Sequence, residues 1–439
     1  MIDSLRSRLN TVNAFQFFQL FRYGSAILIS ILLANSYLTA TDIAHYEWLL
    51  YIGTAVSFFW VNAFLQALLP RYPKYSAKEQ KAFLFTVFLF FCGLSLLIFL
   101  LLYFGRAGLL PLLTGRTELL YFDYFLWFLL FNLPTGLVEY TYLLQKRSGW
   151  ILIFGACSFG AYALAVCLPV WLGYSLERSI QWMVGVALGR FLWLLVLIFR
   201  QASFGWRTDL LRPYLVLAWP LVAYAVLGGI AQLFDQWLVG RVYAEDRLFA
   251  IFRYGARELP IAMALVSGLS AAMVPVVSEQ LEEGLVQIRE KSRRLFHWLF
   301  PLSIGLMLTS HWFFPALLSE EFAESVPIFN IYLLLLISRV LLPSTVILGL
   351  QKTKVILAVS IGEVLINILL SLYLVHDFGL SGIAIATVFA FLFEKLALAF
   401  YLYQRWGIVP TRYVDFRWYG SYVLLLLLAY IWTISGFSI

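Results

Sequence analysis

Apolar residues run through this chain in blocks of twenty or more, each closed by a short polar stretch. A helix that crosses a bilayer needs about 20 mostly apolar residues, because its backbone groups must be satisfied within the helix where no water is present. The blocks predict spans over residues 14–35, 45–69, 82–104, 119–144, 150–172, 178–199 and 213–240, then 248–277, 295–317, 325–350, 354–375, 380–403 and 416–436. That is thirteen membrane helices, within a range of 12 to 14, and an all-α polytopic membrane protein is the expected fold class. The connections are too short for a separate soluble domain. The longest polar ones are SEQLEEGLVQIREKSRR (278–294) and FRQASFGWRTDLLR (199–212). The first has the charge pattern of a helix lying near anionic headgroups, with a plain solvated connector as the alternative.

One echo points to internal duplication. FLQALLPRYPKYSAKEQ closes the second span and LSAAMVPVVSEQLEEG the eighth, so Pro70 and Pro275 take equivalent places before a polar connector. Two six-helix halves with a substrate site between them are a common transporter plan. The expected organisation is a lobe over 1–212, a second over 213–403, and an extra hydrophobic helix within 404–439.

Composition agrees: 62% of the 439 residues are hydrophobic and 13% charged, against about 25% charged in soluble domains. The net charge of +7 could suggest nucleic acid, but the placement of the cations argues for a membrane. Arg6, Arg8, Arg71, Lys74, Lys78, Lys81, Lys146, Arg147, Arg200, Arg207 and Arg212 fall on one side, as do the cations at 289–294, 352–354 and 405–417. The other side holds Arg106, Arg116, Arg178, Arg241 and Arg247. The positive-inside rule reads this asymmetry as a cytoplasmic N-terminus in a multi-pass protein. The start MIDSLRSRLN runs into a span too long for a cleavable signal, so the first helix is expected to be retained. Cys92, Cys157 and Cys167 lie inside spans without a CxxC pattern, which suggests neither a disulfide framework nor a metal site.

Charges inside the spans carry the chemistry. An ionisable residue at the centre of a spanning helix costs roughly 2.5 to 3.5 kcal/mol, so each needs a reason. FRYGARELPIAMALVSGLSAAMVP (252–275) is nearly all apolar yet carries Arg253, Arg257 and Glu258. At i,i+4 spacing Arg253 and Arg257 would share one face of a helix, and two guanidinium groups there repel unless an anion lies between them. Arg22, Arg190 and Arg339 lie roughly 12 to 21 Å into their spans at 1.5 Å per residue. Glu363, on the span after Arg339, is its expected partner, with a proton or cation site as the sharper alternative. Asp235, in LFDQWLVG near the outer end of its span, has no cation nearby in sequence and is a candidate coupling residue. Glu139 is expected to form an interfacial pair with Lys146 and Arg147, whereas Glu394 and Lys395, as neighbours on one helix, would each need an interhelical partner. Pro134, Pro220, Pro260 and Pro343 lie within spans and permit bending. Nucleotide-binding and hydrolase motifs such as a P-loop, GxSxG or HExxH do not occur, and His45, His297, His311 and His376 show no metal-ligand spacing. A transporter that is not an enzyme and holds no cofactor is expected, with H+ or Na+ as candidate coupling ions.

Two stretches resemble the polysaccharide flippases, O-antigen type, of the multidrug, oligosaccharidyl-lipid and polysaccharide (MOP) exporter superfamily. FRYGSAILISILLANSYLTATDIAHYEWLLYIGTAVSFFWVNAFLQALLPRY (21–72) is similar to the family's opening helix pair, although Tyr46 follows Ala44 and His45 where the family carries a glycine. FDQWLVGRVYAEDRLFAIFRYGARELPIAMALVSGLSAAMVPVVSEQ (234–280) resembles the start of its second lobe, with the aspartate, Tyr254, Pro260 and Pro275 where the pattern expects them. The resemblance implies two lobes around a cationic cavity that binds an undecaprenyl-pyrophosphate-linked glycan within the lipid bilayer. It places Arg22, Arg253 and Arg257 on cavity helices. Together with Arg190 they are the candidate pyrophosphate ligands, and Asp235, Glu363 and Arg339 the candidate coupling or structural ion-pair residues. Glycan polymerase machinery is an expected partner and nucleic acid is not. The competing functions are a cation-coupled multidrug or metabolite exporter of the same superfamily and a membrane glycan polymerase or ligase.

Overall fold

In the computed structural model, residues 11–435 are described; Arg6, Arg8 and the last four residues lie outside them. Among the described residues the chain is helical throughout, with no strand. Among the described residues nine helices are long and apolar enough to cross a membrane, or eleven when two bent pairs, Ala40–Ser57 with Val61–Lys74 and Thr208–Ala223 with Gly228–Val242, each count as one span. The 54-residue helix Thr353–Trp406 holds two expected spans divided at Gly379, and the predicted span 119–144 is interrupted by a 3-10 turn at Leu133–Thr135. With these two adjustments every predicted span has a helical counterpart. The protein is a multi-pass membrane protein, and it divides into two compact units with the boundary between Gly229 and Ile230.

Prolines and capping side chains mark where the helices start and break. Thr39 caps Ala40–Ser57 and Ser76 caps Ala77–Thr114, and each donates its own backbone N–H to the carboxylate three residues on, Asp42 or Glu79. Pro260 and Pro343 stand in the first turn of helices Pro260–Glu279 and Pro343–Gly349, where a missing N–H costs nothing. The predicted span 248–277 is therefore two helices, Asp246–Gly255 and Pro260–Glu279. The polar segment 278–294 is not a separate surface helix either. From Leu281 it continues as one helix to Leu318, 38 residues or roughly 57 Å, about twice the hydrocarbon thickness.

In the first unit, helix Thr11–Ala34 packs on Ser148–Trp171 through aromatic side chains. Phe18 stacks near Phe154 with ring centroids 6.2 Å apart and meets Phe159 edge-on at 5.2 Å. Gly155 makes this approach possible, because a Cβ there would stand 2.8 Å from the Phe18 ring. In the second unit the last helix, Phe416–Ser435, packs on Leu281–Leu318, with Phe300 stacked on Tyr422 at 5.5 Å and His297 Nδ1 2.9 Å from the Tyr422 hydroxyl. The helix break after Gly255 is seated closely. A Cβ on Gly255 would lie 2.7 Å from the Ser325 carbonyl oxygen.

Candidate functional site

Arg22 sits in the middle of Thr11–Ala34, eleven residues from one end and twelve from the other. Its side chain is exposed on a helix that carries no other charged residue. Among the described residues its guanidinium has no hydrogen-bond partner. Two charged groups of the same unit lie within electrostatic reach of it, Glu139 and Arg190. Arg190 is partly buried, donates from Nη1 to the Asn132 side-chain oxygen at 2.7 Å, and lies 5.7 Å from the ring centres of both Phe154 and Phe159. Its Nε and the Glu139 Oε2 are buried without hydrogen-bond partners.

Glu139 thus departs from its expected role. It does not sit at the interface with Lys146 and Arg147 but is buried, 8% exposed, in the field of Arg190 first and Arg22 second. The short helix Gly136–Leu144, which follows the turn at Pro134, points this carboxylate into the unit. The first unit therefore gathers two cations around one carboxylate, an excess of positive charge in apolar surroundings.

The second unit places Arg253 and Arg257 on either side of the helix break. The helix ends at Gly255, so the two do not share a helical face as their spacing suggested. Arg253 Nη1 donates to Gln236 Oε1 at 2.6 Å, while Arg257 turns back to donate from Nε to the Arg253 carbonyl at 3.2 Å and covers the Tyr254 ring at 4.6 Å. Both side chains are partly exposed.

Arg339 pairs with Glu258 rather than with Glu363. Its Nε and Nη2 donate to the two Glu258 oxygens at 2.9 and 2.6 Å, a two-bond fork, and the guanidinium lies 3.8 Å from the Phe391 ring centre. Glu258 can reach this partner because it stands in the non-helical break, free of a helical rotamer. A small cavity of about 20 Å³ beside the pair is lined by Ser303 and Tyr332 among others, and the Ser303 hydroxyl is buried without a partner. Glu363 is buried in the field of Glu394, Lys395 and, more weakly, Arg339. Glu394 and Lys395, expected to look for partners on other helices, bond each other at 2.7 Å with both side chains about a tenth exposed.

Asp235 is not a helix-end carboxylate facing water. At 1% exposure it is enclosed by hydroxyl groups from Thr353–Trp406: Thr387 donates to Oδ2 at 2.6 Å and Ser371 to Oδ1 at 3.4 Å. Asn367 donates to Thr387 at 3.2 Å, and its own Oδ1 is buried without a partner. A carboxylate, two hydroxyl oxygens and an amide oxygen buried close together make a set of hard oxygen donors suited to a small cation or a proton. Sequence reasoning named Asp235 and missed its three neighbours. Asn367 and Ser371, four apart on one helical face of an apolar span, were the available signal. Clusters of three or more His, Cys, Asp or Glu able to hold a metal are absent among the described residues.

Comparisons with known proteins place this architecture. Residues 57–438 match the family described as Lipid II flippase MurJ. A solved structure of the lipid II flippase MurJ in an inward closed conformation is similar with a TM-score of 0.71 at 17% identity, over 96% of this chain and 98% of that one. An inward-facing multidrug resistance MATE family transporter of the MOP superfamily is similar at a TM-score of 0.65 and 13% identity, covering 92% and 95%. A Vibrio cholerae MATE transporter, VcmN, follows at 0.55 and 17%, covering 90% and 97%. No curated protein matches the chain in sequence.

Proposed function

The chain belongs to the lipid II flippase MurJ family, a transporter family and not an enzyme family, and on that premise we propose that it carries a polyprenyl-pyrophosphate-linked saccharide across the bilayer by alternating access. The single observation that supports this most is Arg22, an exposed guanidinium at the centre of a spanning helix without a hydrogen-bond partner among the described residues. A charge in that place is costly unless an anion uses it, and guanidinium groups bind pyrophosphate oxygens in fork geometry. Arg190 in the first unit, and Arg253 and Arg257 in the second, are the further candidate ligands. The family name favours lipid II, a polyprenyl-pyrophosphate saccharide, as cargo; an O-antigen type repeat unit has the same anchor and differs only in its sugars. Transport runs from the cytoplasmic to the periplasmic leaflet of a bacterial inner membrane, with the N-terminus cytoplasmic and glycan polymerase machinery consuming the product.

Native mass spectrometry of the gently extracted protein tests the site. Wild type is expected to carry a prenyl-pyrophosphate saccharide adduct that the Arg22→Ala, Arg257→Ala double variant loses, and the fragment masses name the sugars. An adduct that survives in the variant would move the site elsewhere. Total absence of an adduct would favour the cation-coupled exporter.

Asp235 is the proposed coupling residue, with Thr387, Ser371 and Asn367 completing the oxygen donors around H+ or Na+. Sodium is expected to raise the thermal unfolding temperature of wild type relative to potassium at equal ionic strength, and Asp235→Asn to remove that difference. A variant that keeps the sodium response would exclude this pocket.

A further inference from the structure

The first unit carries a cavity that the transport reading does not use. It measures about 560 Å³ and lies where helix Val61–Arg71, the 3-10 turn Tyr72–Lys74 and the start of helix Thr208–Val242 meet. Arg71, Lys74 and Arg212 supply three cations to its lining, and Pro213, Val216, Leu217 and Pro220 supply an apolar wall about two turns long. No hydroxyl, amide or carboxylate side chain lines it. The closest acidic residues in sequence are engaged elsewhere: Asp209 accepts two bonds from Arg207, at 2.9 and 2.6 Å, and Glu79 closes the capping box with Ser76.

Of the three cations Arg71 is held in place, whereas Lys74 and Arg212 stand exposed at the rim. Arg71 donates from Nε to the Tyr75 hydroxyl at 2.8 Å and lies 5.1 Å from that ring's centre, while the same hydroxyl donates to the Leu210 carbonyl at 3.3 Å. Tyr75 thereby fixes Arg71 relative to the helix that carries Arg212. On the other side Tyr214, fully buried, donates to the Phe64 carbonyl at 2.7 Å and ties that helix to Val61–Arg71. Beyond the cations the surface turns abruptly apolar, with Val216 69% and Trp219 71% exposed.

We propose that this cavity binds an anionic phospholipid of the surrounding leaflet, its phosphate between Arg71, Lys74 and Arg212 and its acyl chains along Val216, Leu217 and Trp219. The pattern of charge followed directly by hydrocarbon matches a glycerophospholipid, whereas a saccharide head would need hydroxyl or amide partners that the lining lacks. Each cation near the phosphate contributes on the scale found for basic residues at anionic membranes, about fivefold in affinity per charge. The inference does not depend on the flippase reading.

The test is a native mass spectrometric titration of the full chain in detergent with dioleoyl phosphatidylglycerol, dioleoyl phosphatidylcholine or undecaprenyl pyrophosphate. Wild type is expected to hold one phosphatidylglycerol at concentrations where phosphatidylcholine shows no specific adduct. The Lys74→Gln, Arg212→Gln double variant should need about tenfold or more additional phosphatidylglycerol for the same occupancy. Val216→Asp, at an exposed position whose change spares the core, should weaken the same adduct by like-charge repulsion. The Arg22→Ala, Arg257→Ala variant should keep the phospholipid adduct, which separates a failure here from a failure of the transport site. Equal binding of the two phospholipids, or unchanged phosphatidylglycerol binding in both pocket variants, would overturn the proposal. So would loss of undecaprenyl pyrophosphate binding alone in those variants, which would assign the cavity to the cargo.

Discussion

Arg22→Ala is expected to slow transport of a fluorescent lipid-linked saccharide in proteoliposomes by about tenfold to a hundredfold. The magnitude follows from the loss of a charge-assisted bond to a phosphate oxygen, about 1.5 to 3 kcal/mol, at 1.4 kcal/mol per factor of ten. The direction of the stability change makes the experiment decisive. Arg22 is exposed at mid-helix without a hydrogen-bond partner among the described residues, so its removal takes a costly charge out of the bilayer and should leave the unfolding temperature unchanged or raise it. Activity and stability would then move in opposite directions, which a merely structural arginine cannot produce. Arg22→Lys should fall between, because an ammonium keeps the charge but loses the planar fork. Wild-type transport in Arg22→Ala would remove this residue from the site.

Glu258→Ala should destabilise the protein by roughly 2 to 4 kcal/mol, the cost of stranding the Arg339 guanidinium after its two-bond partner is gone. The figure is set toward the lower end of what buried pairs cost because Glu258 and Arg339 keep side-chain exposures of 27% and 21%. The Phe391 ring 3.8 Å away holds the guanidinium in place and limits its escape to water. Removing both charges, as in Glu258→Leu with Arg339→Met, should recover most of the loss, since replacing a whole ion pair by apolar groups is often neutral. Glu363→Ala supplies the contrast and should leave Arg339 satisfied. Thermal unfolding of the four proteins in one detergent checks the assignment, and a larger loss in Glu363→Ala than in Glu258→Ala would reverse it.

The spans were legible because membrane insertion is written in run length: each block of about twenty apolar residues became helical, whole or in pieces, and Pro260 and Pro343 marked true helix starts. The break after Gly255 was harder to see, because the residues from Ala256 to Leu259 are no less helix-forming in pattern than their neighbours. Pro260 disfavours helical backbone at Leu259, and Gly255 sits closely against Ser325 and Ile328, a contact some seventy residues away in sequence. Partner choice was least legible. Arg339 and Glu258 lie 81 positions apart, and Asp235 and Thr387 lie 152 apart, so no spacing rule joins them. Glu139 shows the same limit. Proximity along the chain to Lys146 and Arg147 suggested a surface pair, but the turn at Pro134 directs it inward to Arg190, 51 residues away in sequence.

Gly379 has a consequence for how the protein enters the membrane. At φ 59° and ψ −138° it occupies backbone space that glycine reaches far more easily than other residues, and it joins two spans of Thr353–Trp406 with almost no chain between them. Gly382 lies against the Leu374 carbonyl, which closes the corner further. A pair joined in this way offers the insertion machinery only the exposed His376 and Asp377 as polar groups at the corner, so the two helices are expected to partition into lipid together as one hairpin. The far side of the membrane then receives only this tight corner, and a reporter tag inserted there would have to prise the hairpin apart.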